Sequence, residues 1–88
     1  MDNNYAVMEV KPQIARGPGI EKDLKTLSSF LHGVGYKRAI YLLYGVAIED
    51  KQLDFVCEIA GKFGAAAGIE LWAHRGPGQL AELVKKFD

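Results

Sequence analysis

Two side chains form the sharpest candidate for chemistry in this sequence. Glu9 and Lys11 flank Val10 in the stretch AVMEVKPQ. Side chains of a strand alternate between its two sides, so an acid and an amine two positions apart share one face. Cleaving a phosphodiester with a divalent metal needs such a pair. A carboxylate oxygen holds the ion, and a cation orients water or offsets charge on the phosphate. The same spacing also suits a plain strand surface turned to water, or one bridged by ion pairs to its neighbour.

Other reactive residue types lack partners. His32 and His74 have no acid or cysteine at metal-ligand spacing. Cys57 is the only cysteine, so no internal disulfide forms, and its place on an apolar stripe reads as packing. Ser28-Ser29 lacks the G-x-S-x-G elbow, and AGKFGAAAG is neither a phosphate loop nor a dinucleotide fingerprint. Arg16-Gly17-Pro18-Gly19 and Arg75-Gly76-Pro77-Gly78 repeat one tetrapeptide, each expected between a strand and a helix. The repeat suits either a tight turn or an anion seat built from backbone N–H groups and an arginine.

The elements that must position Glu9 and Lys11 follow from hydrophobic periodicity. A strand is expected over Tyr5–Lys11, ended by Pro12, with Val7, Glu9 and Lys11 on one side and Ala6, Met8 and Val10 on the other. Ile20, Leu24, Leu27, Leu31 and Val34 recur at helical spacing, Glu21 precedes Lys25 by one turn, and Gly33 and Gly35 supply a stop. The near-continuous apolar run Ala39–Ala47 fits a central strand covered on both faces. Leu53, Val56, Ile59, Ala60 and Phe63 predict a second helix from about Asp50, with Glu49, Asp50 and Asp54 at its electropositive start. Ile69–His74 predicts a third strand, placing Trp72 with Glu70 and His74. A last helix is expected from about Gln79, with Leu80, Leu83, Val84 and Phe87 inward. The fold class is therefore α/β, a βαβαβα order in two or three layers around a mostly parallel sheet.

At 88 residues this is a single small α/β domain, whole or a fragment of a larger nuclease-like domain. Eleven basic residues balance eleven acidic ones, which argues against indiscriminate nucleic-acid binding but leaves room for a local basic patch. No apolar run is long enough to span a bilayer, and MDNNY does not open a signal peptide, so a cytoplasmic protein is expected.

The strand AVMEVKPQ, the amphipathic IEKDLKTLSSFL and the apolar AIYLLYG, in that order, resemble the second half of the core of the PD-(D/E)XK, or restriction-endonuclease-like, nuclease superfamily. The resemblance covers roughly half the chain, Tyr5 to Gly45. It implies metal-dependent phosphodiester hydrolysis of DNA, with Mg²⁺ as the ion. Glu9 would be the metal ligand, the Val10 carbonyl would complete the metal shell, and Lys11 would be the catalytic lysine. Gln13 falls where some members carry a polar residue. Arg16 and Lys37 are candidates to position the nucleic-acid backbone. The family also carries an aspartate on an earlier strand, and only eight residues precede Glu9 here. The activity is thus expected once further elements or a partner complete the site. The alternative of another class is a non-catalytic protein-binding or oligomerisation module, a homodimer formed through the Trp72 face or a sheet edge.

Overall fold

The computed structural model describes residues 5–12, 17–45, 48–62 and 64–88. Gln13, Arg16, Val46, Ala47 and Phe63 lie outside the described residues. The elements run β1 (Ala6–Lys11), α1 (Gly17–Ser28), β2 (Arg38–Tyr44), α2 (Asp50–Lys62), β3 (Ile69–His74) and β4 (Glu82–Lys86). They form one four-stranded sheet in the order β1-β2-β3-β4, parallel from β1 to β3 and antiparallel between β3 and β4. The expected α/β class with a mostly parallel sheet is what the structure shows.

Strand order decides the layering. Two crossovers that step the same way across a sheet, each right-handed, must lay both helices on the same side. Accordingly Ile20, Leu24 and Leu27 of α1 and Leu53, Val56 and Ala60 of α2 share one core with Ala39, Tyr41, Leu43, Ile69, Leu71 and Ala73. The slab measures 37 × 30 × 19 Å, a thickness of two layers. The expectation that β2 is covered on both faces is therefore corrected. It is central within the sheet, but among the described residues no helix packs on its second face.

A second correction concerns the C-terminal segment. The helix expected from Gln79 is instead the strand β4, with Phe87 buried in the core beyond it. Leu80, Leu83, Val84 and Phe87 fit a helical stripe, but they suit an edge strand as well. β3 offers an unpaired edge, and backbone pairing there outweighs local preference. The second Gly-Pro-Gly consequently turns between antiparallel strands rather than opening a helix. Gln79 N–H donates to Gly76 O at 3.2 Å, and Gly78 takes a φ of 77°. Proline second and a positive-φ glycine third is the sequence signature of a type II turn.

The first helix continues through Ser29–Val34 as a wider π-helical turn that Gly35 closes in the left-handed region, its N–H on Phe30 O at 3.1 Å. Val34, placed on the buried stripe by spacing alone, is exposed because the wider turn rotates it away. The Glu21–Lys25 ion pair forms at 3.1 Å.

Candidate active site on the first strand

β1 buries the side that its sequence would leave to water. Val7, Glu9 and Lys11 are half-buried and lie on the side of the helices, whereas Ala6, Met8 and Val10 point away and are exposed. Apolar residues outward and charged residues inward is the informative kind of exception to hydrophobic burial. Parallel pairing fixes it. Glu9 stands opposite Tyr41, and Tyr41 belongs to the helix-side core.

Glu9 and Lys11 therefore share a face, as their spacing requires, yet no ion pair joins them to each other or across to β2. Lys11 Nζ instead lies 3.4 Å from Oδ2 of Asp23, one layer up on α1. The same Asp23 oxygen accepts a hydrogen bond from the buried Tyr41 hydroxyl at 2.9 Å. Burial, followed by the Asp23 hydrogen bond and the nearby charges of Asp23 and Glu9, pushes the Tyr41 phenol well above its ordinary range. It stays a neutral donor, and Asp23 is fixed as an acceptor. Glu9 itself makes no hydrogen bond or ion pair with any described residue. Among the described residues the cluster holds two carboxylates, Glu9 and Asp23, and one ammonium, Lys11, at the rim of the sheet.

The backbone adds a second candidate acceptor. Arg38 N–H donates to Tyr5 O at 2.9 Å, so alternate β1 carbonyls from Tyr5 onward face β2. The carbonyl of Val10 then faces away from β2, on the side where β1 has no neighbouring strand among the described residues. Glu9 and Val10 thus fit the first two ligands that the resemblance implies for Mg²⁺. That ion commonly takes one or two carboxylates and keeps water or phosphate oxygens for the rest. Among the described residues no group of three or more His, Cys, Asp and Glu side chains is placed to hold a metal by itself.

The remaining candidates disperse. Arg16 lies outside the described residues. Lys37 sits beside Tyr5 at the other end of the strands, about 13 Å from Glu9 at ~3.3 Å per residue. Arg75 is taken by Asp50 at 2.8 Å and Glu82 at 3.4 Å, so the second Arg-Gly-Pro-Gly offers no free guanidinium as an anion seat. His32 bonds the carbonyl of Ala67, and His74 that of Gln79 while stacking on Tyr44. Burial pushes the Cys57 thiol up, consistent with packing rather than reactivity.

Sequence reasoning missed Asp23 and Tyr41. Asp23 falls three residues after Ile20 and four before Leu27, on the buried stripe of α1, and a carboxylate in that position needs a partner. Tyr41, alone among the helix-side residues of β2 in carrying a hydroxyl, needed one too. That each answers the other depends on how α1 docks on the sheet, which spacing does not reveal.

Comparison of the chain with protein-family models, with curated proteins and with solved structures returned no match. No helix among the described residues is long and apolar enough to cross a membrane.

Proposed function

We propose that this chain is a nuclease-like domain for metal-dependent phosphodiester hydrolysis of DNA, acting in the cytoplasm and completed by a further acidic ligand from a partner or another segment. One observation carries the reading. Among the described residues the Glu9 carboxylate makes no hydrogen bond or ion pair and the Val10 carbonyl has no neighbouring strand, one residue from an ammonium ion-paired to Asp23. Charged residues turned toward the core are costly unless they serve a purpose, and hydrolytic chemistry is the purpose this set suits.

In this reading Glu9 supplies the anionic ligand and Val10 a neutral one. Glu9 and Val10 would hold a divalent cation, which when bound would make a water molecule more acidic and offset charge on the phosphoryl oxygens. Lys11 forms an ion pair with Asp23 at 3.4 Å, and its ammonium N–H groups are the donors for a phosphate oxygen or the attacking water. Arg16, in the connection to α1, is the basic residue closest in sequence to bind the backbone. Lys37, at the far end of β2, would contact a phosphate farther along the same strand.

The test is a DNA cleavage assay with Mg²⁺ on the wild type and on Glu9→Ala, each assayed together with the partner or segment that supplies the further acidic ligand. The reading predicts cleavage that chelation abolishes and Glu9→Ala removes. Equal activity in the two proteins, or none in the wild type at any Mg²⁺ concentration, contradicts it.

A further inference from the structure

The second face of the sheet is apolar and lacks a covering layer among the described residues. Met8 is 52% exposed, Val10 48% and Tyr44 48%, around a floor of Ile40, Leu42 and Trp72. Sheets of parallel strands are almost always covered on both faces. Four strands about 4.8 Å apart and six residues long give a patch of about 400 Å² in projection. That is already at the limit of what soluble monomers leave bare.

The charges at the middle of this face are closed upon themselves. Arg38 grips Glu70 through two hydrogen bonds of 2.9 and 2.7 Å, and the Trp72 indole N–H donates to Glu70 at 3.0 Å. The middle of the face therefore has no net charge to repel an identical face, and Lys86, opposite Glu70 on β4, adds one positive charge at its margin. The sheet edge differs. β4 carries Glu82, Lys85 and Lys86, all exposed, and charges along an edge oppose lateral pairing with another sheet.

Shape points the same way. Met8, Arg38, Ile40, Leu42, Trp72 and Ala81 line an apolar groove of about 240 Å³. That is room for eight or so water volumes of ~30 Å³, ample for one aliphatic side chain. Leu80, next to Ala81 in the chain, is 93% exposed. A projecting leucine beside an apolar groove is what a two-fold axis needs, because each copy then offers a knob to the other's hole. Size adds a constraint. A stable dimer buries about 800 Å² per partner, twice the projected sheet patch. The 37 × 30 Å bound of the slab has room for that, provided the β3–β4 connection with Leu80 takes part.

We infer that a second copy of this chain covers this face, two sheets stacking about 10 Å apart with Leu80 of each seated in the groove of the other. The nuclease reading is not required for this. The Glu9–Lys11 rim lies on the helix side and stays open in such a dimer.

Sedimentation equilibrium over a wide concentration range tests it, on wild type, Met8→Asp, Leu80→Asp and the control Phe55→Ser on the outer side of α2. The expected result is a wild-type dimer whose dissociation constant rises at least about tenfold in each of the first two variants. Phe55→Ser should leave it unchanged, with urea midpoints confirming that all four fold. A wild type that stays monomeric at every concentration overturns the inference. So does a dimer that Met8→Asp and Leu80→Asp leave intact.

Discussion

The two faces of the sheet carry polar clusters built on one plan and finished differently. On the helix side a carboxylate, Asp23, receives an aromatic hydroxyl from Tyr41 and faces one ammonium, Lys11. On the other side a carboxylate, Glu70, receives an aromatic N–H from Trp72 and is held by one guanidinium, Arg38. The cations differ in kind. Arg38 closes a planar two-bond fork on Glu70, and those bonds lower the Glu70 carboxyl from 4.5 to about 2. Lys11 is a point charge at 3.4 Å, next to a Glu9 that has no described partner. A saturated cluster holds strands together, whereas an unsaturated one at a sheet edge can take up a ligand. The contrast teaches that satisfied hydrogen bonds, more than residue types, separate a structural pair from a candidate site.

That contrast can be broken from either side. The largest effect is expected at Glu9. Cleavage rates should fall at least about 100-fold in Glu9→Ala, while its unfolding free energy stays within about 0.5 kcal/mol of wild type, because the carboxylate has no described hydrogen bond or ion pair to lose. Glu70→Ala should do the reverse. Cleavage persists, and chemical denaturation reports a loss of about 2 kcal/mol because Arg38 and the Trp72 N–H lose their acceptor. A wild-type denaturation profile for Glu70→Ala would dissolve the comparison.

Acid sharpens the same point. The folded-state value of Glu70 lies below its unfolded one, so its contribution is complete above about pH 4.5 and is lost as pH falls toward about 2. Urea midpoints taken down that range should decline in the wild type and decline less in Glu70→Gln. Asp23→Asn comes next, with cleavage reduced about tenfold as Lys11 loses its anchor, a drop in kcat rather than a rise in KM. The smallest effect belongs to Tyr41→Phe. Removing one buried hydrogen bond should cost about 1 kcal/mol and leave cleavage within a fewfold of wild type.

Much of the scaffold was legible from spacing. β3 lies on Ile69–His74 as its apolar alternation predicts, and α2 begins at Asp50 where acids gather. What escaped were features that depend on which surfaces meet. The stripe of Leu80, Leu83, Val84 and Phe87 suits a helix as well as an edge strand, and the open side of β3 decides between them. Glu9 and Lys11 were read correctly as sharing a face. That this face turns toward the helices, leaving Met8 and Val10 outside, follows from the docking of β1 against β2 and α1. Asp23 is the same case. Its place on an apolar stripe signals a buried partner, but only the packed layers identify Lys11 and Tyr41.

The claim that the Glu9 rim takes up a divalent cation is tested most directly by paramagnetic NMR with Mn²⁺ in place of Mg²⁺. Amide signals of Glu9, Val10 and Lys11 should broaden first, ahead of those on β3 and β4, and Glu9→Gln should abolish the effect. Broadening that spares those three residues, or that persists unchanged in Glu9→Gln, would contradict the account.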